Sequence, residues 1–415
     1  MIYTYHINES IGWVEDTVNG NGALAGLKVV EFAHVIAGPL AGTLLADLGA
    51  TIVHVEDPGN GDPQRGAGPE RNGAHLWWKV AARNKRSITL NLRTDEGRKV
   101  ARELAQWADV IITNFRVETL EKWGLDYASL NQINPKIIVL QVTGFGATSS
   151  KRNQPGFGKV GEAMSGVVNL TGFPDGPPVH TGFSHGDSVT GLMGAYAIMA
   201  ALYRKNADPD FRGEWIDLAL FDGLFRLIEW QIIFYDQLGE VPTRVGNQLA
   251  AAPAAVINTF KTSDGRWLTV TSGTPRSVSN VAALVGEPAE DYATRPDQAR
   301  NAVRLDRLVG EWISQRPLAE CVDIMQKLEV VASPIYTVED ILADETYRER
   351  ENIVTVDDPD LGKVRMQNVI PKLANYPGSV WRTAPALGQD NDLVYQEFLG
   401  KSEADVDQLR QGGHI

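Results

Sequence analysis

The stretch LKVVEFAHVIAGPLAGTLLADLGATIVHVE, residues 27–56, determines the fold class of this chain. Residues 27–32 and 51–56 have the composition of short strands. Between them the sequence predicts a helix over 39–48, because Pro39 is tolerated at a first helical position and three leucines share one stripe. A strand, a helix and a second strand in this order begin a parallel α/β sheet.

Strand and helix signals keep alternating to about residue 145. A helix is predicted over 94–108, followed by strands over 109–113 and 137–143. The sequence therefore predicts an α/β fold whose large domain contains a Rossmann-like parallel sheet.

The pattern changes after a long helix predicted over 222–238. The pair Asp264-Gly265 is a strong hairpin signal. Further helices and a late hairpin are predicted downstream, with Ser402 and Asp405 capping the last helix. Their ranges are 276–285, 297–315 and 318–328 for the helices and 352–368 for the hairpin. These elements indicate a second, smaller α+β domain.

Composition excludes several classes of function. The chain has 415 residues, which suggests two domains, and a net charge of −13, which argues against a nucleic-acid surface. Cys321 stands alone, so neither an intrachain disulfide nor a cysteine metal site is possible, and a reducing, cytoplasmic compartment is expected. No metal site is predicted. No apolar run reaches membrane length, and the first residues lack a basic signal-peptide region.

The run SHGDSVTG at 184–191 contains the candidate reactive group, Asp187. Its carboxylate is set among small residues at the start of an apolar helical pattern, which leaves it accessible. One interpretation is structural, since an aspartate at a helix N-cap accepts a backbone hydrogen bond. The other is that the carboxylate is a nucleophile.

Motifs distributed over nearly the whole chain resemble those of the class III CoA-transferases. They are LKVVEFAHVIAGPLAG from Leu27, LGATIVHVE from Leu48, NKRSITLNL from Asn84, DVIITNF from Asp109, LEKWGL from Leu120, TGFPDGPP from Thr171, Gly186-Asp187, GEWIDLALFD from Gly213 and APALG from Ala384. The resemblance implies CoA-transfer activity, with coenzyme A as a substrate and no permanently bound cofactor.

The chain is expected to have four parts, and the resemblance implies that the last of them returns to the first domain. Residues 1–24 form an extra N-terminal arm, 25–225 a large CoA-binding domain, and 226–335 a linker helix and a small domain. Residues 336–415 then return to the large domain. In this family two open subunits thread through each other, so an interlocked homodimer is expected.

The resemblance places CoA at the first βα turn and at the end of a neighbouring strand. The matched positions are His34, Val35, Ile36, Ala37, Asn114, Phe115 and Lys122. Turn amides and a cation suit phosphates, and Phe115 can stack on an adenine or pack against pantetheine. Arg86 and Arg116 are further cations near the same edge.

As a nucleophile, Asp187 would attack the thioester carbonyl and form a mixed anhydride, which returning CoA thiolate converts into an aspartyl-CoA thioester. A free carboxylic acid then collects the CoA. His185, two residues earlier, is a candidate contact of the acceptor acid. The partners expected are therefore an acyl-CoA and a small organic acid.

A related enzyme, α-methylacyl-CoA racemase, is a rival interpretation. Racemisation needs a second base, which a histidine supplies in that enzyme, whereas this chain has Phe157 at the corresponding position. Only His185 could substitute for that base.

Two further interpretations place the chain in different classes of protein. An NAD-dependent oxidoreductase would use Glu56, about 18 residues after Gly38, to bind the ribose, although the first turn glycine of that motif is missing. A non-enzymatic CoA-binding subunit would bind CoA without turnover.

The chain also departs from formyl-CoA transferase at three positions. The segment QLAAAPAA at 248–255 replaces a glycine-rich loop, Thr143 replaces a lysine, and Asp57-Pro58 replaces an arginine pair. These differences argue against oxalate as the acceptor.

Overall fold

The computed structural model describes residues 22–249 and 256–415. Most of the predicted N-terminal arm, residues 1–21, and the loop segment 250–255 lie outside the described residues. The chain divides into two compact units. The first comprises residues up to 165 together with 181–226 and 348–415, and the second comprises 166–180 and 227–347.

The first unit is built on a six-stranded sheet in which all neighbouring strands are parallel. Counted along the chain, its strands lie in the order 3-2-1-4-5-6, which is the doubly wound arrangement of the Rossmann fold. The predicted α/β fold with a Rossmann-like parallel sheet is therefore confirmed. The strands are β1 (Lys28–Phe32), β2 (Thr51–Glu56), β5 (Arg86–Thr89), β6 (Val110–Thr113), β7 (Ile138–Thr143) and β8 (Glu214–Ala219), and a small ribbon, β3 (Glu70–Arg71) and β4 (Ala74–His75), lies between β2 and β5 in the chain.

Helices join these strands, and those predicted over 39–48 and 94–108 are found with small shifts at their ends. The helices of the first unit are α1 (Ala37–Asp47), α2 (Leu76–Ala81), α3 (Asp95–Trp107), α4 (Val117–Trp123), α5 (Tyr127–Ile133), α6 (Gly158–Ser165), α8 (His185–Ala207) and α9 (Asp222–Leu227), while α7 (Val167–Leu170) belongs to the second unit. Helix α1 begins two residues before Pro39, so the proline lies inside the first turn, where its missing N–H costs no intrahelical bond.

Two apolar layers cover the sheet. Val30, Val53 and Ile111 belong to one buried cluster, and Val29, Ile52 and Ile112 belong to the other. Neighbouring residues of each strand therefore point to opposite faces, and both faces are buried, which explains the continuous apolar runs in the sequence. The sheet is consequently a rigid support for side chains at its carboxyl ends.

The helix predicted over 222–238 is wrong in its length. The structure has α9 and a separate helix, α10 (Trp230–Leu238), and the first lies in unit one and the second in unit two. The break falls at residues 228 and 229, an isoleucine and a glutamate. Neither residue is a glycine or a proline, so local sequence carries no signal for the break.

The second unit contains an antiparallel three-stranded sheet and a group of helices. Its hairpin turns at Gly265, whose φ of 79° is the left-handed conformation that glycine adopts freely, and this confirms the predicted turn. The strands are β9 (Ile257–Lys261), β10 (Trp267–Thr271) and β11 (Ala332–Pro334), and the remaining helices are α11 (Pro275–Leu284), α12 (Arg295–Ser314), α13 (Leu318–Lys327), α14 (Val338–Ala343) and α15 (Glu345–Glu349).

Residues 348–415 belong to the first unit. They form the hairpin of β12 (Ile353–Asp358) and β13 (Gly362–Gln367), a π-helix (Leu393–Phe398) and α16 (Glu403–Gln411), whose Ser402–Asp405 capping box matches the prediction. Tyr395 donates a hydrogen bond of 2.6 Å to the carbonyl of Thr89 in β5. The C-terminal segment is thus attached to the edge of the parallel sheet. Among the described helices, none has the length and apolar character needed to cross a membrane.

Candidate active site

The turn between β1 and α1 is held by side chains from two other parts of the chain. The side-chain amide of Asn114, after β6, donates to the carbonyl of His34 at 2.7 Å, and the His34 N–H donates back to Asn114 Oδ1 at 3.0 Å. Val35 follows with a φ of 70°, and its N–H donates to Asp62 Oδ1 at 3.0 Å. Asn114, predicted to contact CoA, therefore uses its amide group to shape the turn.

His34 and Phe115 form the apolar wall of this turn. Their rings meet edge to face with centroids 5.2 Å apart. Burial lowers the pKa of His34, so the imidazole is neutral at physiological pH. A neutral ring at this half-buried turn can pack against an uncharged part of a ligand.

Asp187 lies in the first turn of α8. The helix begins at His185 and its N-cap is Ser184, so the interpretation of Asp187 as the N-cap is wrong. None of the described residues donates a hydrogen bond to the Asp187 carboxylate. Burial, together with the negative charge of Glu162, raises the pKa of Asp187 to about 6, while Lys159 opposes this shift. The carboxylate is half-buried, without bound donors, and ionised at neutral pH.

Glu162 and Lys159, on α6, form the charged surroundings of Asp187. Glu162 Oε1 accepts a hydrogen bond from the N–H of Gly186 at 3.1 Å, and Lys159 Nζ lies 3.0 Å from Glu162 Oε2. Lys159 also donates to the carbonyl of Phe183 at 3.1 Å. These contacts attach the start of α8 to α6. Both charged residues were missed in the sequence, where their only signal is a lysine–glutamate pair three residues apart.

Glycines allow the close approach of α6 and α8. A β-carbon on Gly158 would lie 2.1 Å from Asp187 Oδ2, and one on Gly186 would lie 2.6 Å from the carbonyl oxygen of Gly158. Neither distance leaves room for a side chain. The backbone of Gly158 is therefore a direct neighbour of the candidate nucleophile.

Helix α8 also packs directly on α1, the helix that follows the βα turn. A β-carbon on Gly191 would lie 3.0 Å from the carbonyl of Ala37, and one on Gly194 would lie 2.7 Å from a methyl group of Leu140. The first unit thus brings the predicted CoA turn and Asp187 onto two helices in close contact.

A cavity of about 170 Å³ connects the end of β6 with the segment before α6. Its lining includes the predicted CoA contacts Asn114, Phe115 and Arg116, together with Thr143 and Phe157. Phe157 is 72% exposed, and the next residue is Gly158. A substrate bound in this cavity would contact Phe157, and the next residue, Gly158, touches Asp187.

The predicted cations occupy different environments. Arg116 and Lys122 are exposed and form no ion pair with any residue that the structure describes. Arg86 is buried, with its guanidinium 3.7 Å from Asp390 and near the ring of Trp381. Arg86 therefore differs from the expected cation at the edge of the CoA site, because the returning C-terminal segment covers it.

His185, the candidate contact of the acceptor acid, is only partly buried. Its Nδ1 atom is buried without a hydrogen-bond partner among the described residues, and its ring lies 5.2 Å from that of Phe183. The side chain is thus adjacent to the loop that Lys159 holds.

Glu56 cannot serve as the ribose-binding acid of a dinucleotide site. Its carboxylate accepts hydrogen bonds from Arg65 Nε at 2.6 Å, from Ser87 Oγ at 2.6 Å and from the N–H of Asp62 at 2.9 Å, and it is buried. The oxidoreductase interpretation loses the group on which it depends.

Residues 24–391 match the model of CoA-transferase family III. Over 390 residues the chain is 38% identical to the succinyl-CoA–D-citramalate CoA-transferase of Chloroflexus aurantiacus, covering 92% of this chain and 96% of that protein. Over 394 residues it is 36% identical to the beta subunit of the succinyl-CoA–L-malate CoA-transferase of the same organism, covering 93% and 96%. The crystal structure of a CaiB/BaiF family protein from Brucella suis matches with a TM-score of 0.79 at 33% identity, covering 91% of this chain and all of that one.

The doubly wound sheet and the extent of these matches define the class of protein. The chain belongs to CoA-transferase family III, as the motifs indicated. It is an enzyme, a CoA-transferase, and enzymes of this class use CoA thioesters as substrates.

Proposed function

We propose that this enzyme moves CoA from an acyl-CoA to a free carboxylic acid through covalent intermediates on Asp187. The observation that supports this most directly is the state of the Asp187 carboxylate. It is half-buried, accepts no hydrogen bond from the described residues, and has a pKa of about 6. Such a group is ionised at neutral pH yet poorly solvated, which makes it a better nucleophile than a carboxylate in water.

The proposed reaction has four exchanges. The Asp187 carboxylate attacks the thioester carbonyl, CoA thiolate leaves, and a mixed anhydride forms. The thiolate then attacks the aspartyl carbonyl and releases the donor acid, leaving an aspartyl-CoA thioester. The acceptor carboxylate attacks this thioester and releases thiolate again. Attack of the thiolate on the acceptor carbonyl gives the new acyl-CoA and restores Asp187.

The chemistry requires an oxyanion site and the exclusion of water. Each tetrahedral intermediate carries a negative oxygen that needs hydrogen-bond donors. The backbone N–H groups around Gly186 are the donors nearest to Asp187 along the chain. The N–H of Gly186 is itself bound to Glu162, so the donors would have to come from neighbouring peptides. Water that reached the anhydride would hydrolyse it, which the glycine-lined contact of Gly158 with Asp187 helps to prevent.

For CoA we propose the βα turn, residues 34–37, with Phe115 as an apolar contact. The first turn of α1 presents unsatisfied backbone N–H groups that suit phosphate. Arg116 and Lys122 are the exposed cations of the neighbouring strand end and helix. Arg86 is left out of this proposal because it is buried against Asp390.

As substrates we propose succinyl-CoA as donor and a small hydroxylated dicarboxylic acid as acceptor. The two relatives from Chloroflexus aurantiacus are named for succinyl-CoA and for D-citramalate or L-malate. Both match the chain over almost its full length. A screen of purified enzyme with succinyl-CoA and a panel of acids, read by mass spectrometry of the CoA esters, tests the pairing. Oxalate belongs in the panel as the acceptor expected to fail.

The decisive experiment for the mechanism is Asp187→Asn. The variant should fold and bind CoA but lose transfer by several orders of magnitude, because a covalent nucleophile is removed. Hydroxylamine or borohydride trapping should label wild-type enzyme incubated with acyl-CoA and leave the variant unlabelled. Transfer within about tenfold of the wild-type rate would contradict the mechanism.

We further propose that two copies of the chain form the interlocked homodimer of the family. On α8 an apolar stripe faces solvent, and Tyr196 and Tyr203 are 71% and 79% exposed. Leu192 and Met199 complete this stripe at helical spacing. A stripe of this size on a single chain is typical of an interface. Light scattering after size exclusion should give twice the mass of one chain, and a monomer that retains transfer activity would contradict the proposal.

The racemase interpretation is tested separately. Phe157 has no proton to transfer, so exchange of the α-proton of a 2-methylacyl-CoA into D₂O should not exceed the uncatalysed rate. Rapid exchange would instead support the racemase interpretation.

A further inference from the structure

The βα turn contains a backbone conformation that its sequence does not favour. Val35 has a φ of 70°, in the left-handed region, where a β-branched residue is a rare outlier. Such conformations persist only where the surrounding structure imposes them, and they concentrate at functional sites. A neighbouring group must therefore hold Val35 in this conformation.

The group in contact with the Val35 amide is the carboxylate of Asp62, which lies on the loop after β2. Both of its oxygens face the Val35 N–H, at 3.0 and 3.2 Å, and Oδ1 also accepts from the N–H of Gln64 at 2.8 Å. Asp62 is buried, with 1% of its surface exposed. It is therefore too deep to contact a ligand at the turn and can act there only through Val35.

Asp62 is the end of a row of buried charges beneath the turn. His54 Nε2 lies 3.2 Å from Asp62 Oδ2, without the alignment of a hydrogen bond, and His54 Nδ1 lies 2.8 Å from Glu31 Oε2. Glu31 in turn holds Lys85 Nζ at 2.9 Å, and that ammonium donates to the carbonyl of Pro39 at 2.6 Å. The row thus connects the amide of Val35 with the first turn of α1.

The charges in this row are complementary. Burial alone would lower the pKa of His54, but the carboxylates of Asp62, Glu31 and Glu56 raise it to about 9. Burial alone would raise the pKa of Asp62, but His54 brings it down to about 2. At neutral pH a positive imidazole therefore holds an ionised Asp62 in place. The other charged or titratable groups that face His54 are Lys85, through Glu31, and His34, whose ring lies 6.4 Å away.

We propose that Asp62 is a positioning residue for CoA binding: it holds Val35 in the left-handed conformation and thereby directs the backbone N–H groups of Ile36 and Ala37 toward the CoA phosphates. This inference rests on the proposed function, which assigns the turn to CoA. It adds that the site is kept in its binding shape by a buried carboxylate that never touches the ligand.

The test is the affinity of purified enzyme for CoA, measured by titration calorimetry, together with KM and kcat for transfer. In Asp62→Asn we expect the CoA Kd and the KM for acyl-CoA to rise at least about tenfold while kcat stays within about threefold, since only the turn is disturbed. The double variant Asp62→Asn with Val35→Gly should recover most of the lost affinity, because glycine adopts a positive φ without a steric penalty.

Asp358→Asn is the matched control. Asp358 is another buried carboxylate of the first unit, bound to Lys79 Nζ at 3.0 Å and to the hydroxyl of Thr383. Its loss should lower the melting temperature without changing the CoA Kd. A wild-type Kd in Asp62→Asn would overturn the inference, and so would a raised Kd that Val35→Gly leaves unimproved. Failure of the wild-type enzyme to bind CoA would contradict the proposed function instead.

A second measurement needs no substitution at Asp62, so it tests the inference even if Asp62→Asn does not fold. As the pH rises through about 9, His54 loses its proton and its hold on Asp62 weakens. The CoA Kd of the wild type should then rise more steeply between pH 8 and 10 than that of Val35→Gly, in which the turn no longer needs the restraint. Titration of CoA itself affects both proteins equally. Parallel curves for the two proteins would overturn the inference.

Discussion

The carboxylate of Asp187 lies directly against the backbone of Gly158, so that a β-carbon there would come within 2.1 Å of Asp187 Oδ2. This contact joins the first turn of α8 to the start of α6. It explains why a glycine stands at position 158 beside the candidate nucleophile, since any side chain there would collide with the carboxylate.

Gly158→Ala should therefore abolish most of the transfer activity. The methyl group must displace the carboxylate, and a misplacement of about 1 Å is enough to reduce kcat/KM about 100-fold. Steady-state kinetics measure the effect. Gly273→Ala is the control, because a β-carbon there meets no atom within 4 Å. If Gly158→Ala retained wild-type kcat, the carboxylate would have to react from a different rotamer.

Asp187→Asn should be more stable than the wild type at neutral pH. The pKa of Asp187 rises from 3.8 to about 6 on folding, so the ionised carboxylate destabilises the fold. The difference should be absent below pH 4, grow between pH 4 and 6, and reach at most about 3 kcal/mol above pH 6. Thermal melts at pH 4, 6 and 8 measure it. A gain in stability that does not vary with pH would show that the cause is not ionisation.

The pH dependence of transfer should follow the ionisation of Asp187. Because only the carboxylate attacks, kcat/KM should fall as the pH drops through about 6. Glu162→Gln removes a negative charge that raises this pKa and leaves Lys159 unpaired, so the acid limb should move to lower pH. Glu96→Gln, on the exposed pair with Lys99, should leave the profile unchanged. Disappearance of the acid limb in Glu162→Gln would show that Glu162, and not Asp187, limits the profile.

His54 should make stability fall at high pH. Its pKa is raised from 6.5 to about 9 in the fold, so its contribution is complete below pH 6.5 and is lost as the pH rises through about 9. Relative to His54→Gln, the wild type should therefore be about 3 kcal/mol more stable at pH 6 than at pH 10, after subtraction of any constant difference. Denaturation at several pH values measures this.

Lys122→Ala should raise the KM for acyl-CoA about tenfold with kcat nearly unchanged, because a phosphate contact of about 1–1.5 kcal/mol acts equally on ground and transition states. Arg116→Ala should do less. Salt should reduce the difference from wild type, since exposed ion pairs are screened. A collapse of kcat with constant KM would move Lys122 out of the CoA site and into the chemistry.

Much of the fold followed from local patterns. Four strands of the parallel sheet (β1, β2, β6 and β7), α1, α3 and the hairpin at Gly265 were predicted because each has a strong periodic or turn signal, whereas β5 and β8 were not assigned as strands. The break between α9 and α10 was not, because residues 228 and 229 are compatible with a helix and only the division into two units separates them.

The sequence by itself determined the family, the parallel sheet and the identity of Asp187 as the candidate nucleophile, since these depend on motifs and on patterns between near neighbours. Tertiary structure alone decided the surroundings of these residues. Arg86 is buried by a segment some 300 residues later in the chain, and the side-chain amide of Asn114 donates to the carbonyl of His34, 80 residues earlier. The pKa of Asp187, the contact with Gly158 and the restraint of Val35 by Asp62 all depend on distances between segments remote in sequence, where burial and Coulomb interactions act and periodicity carries no information.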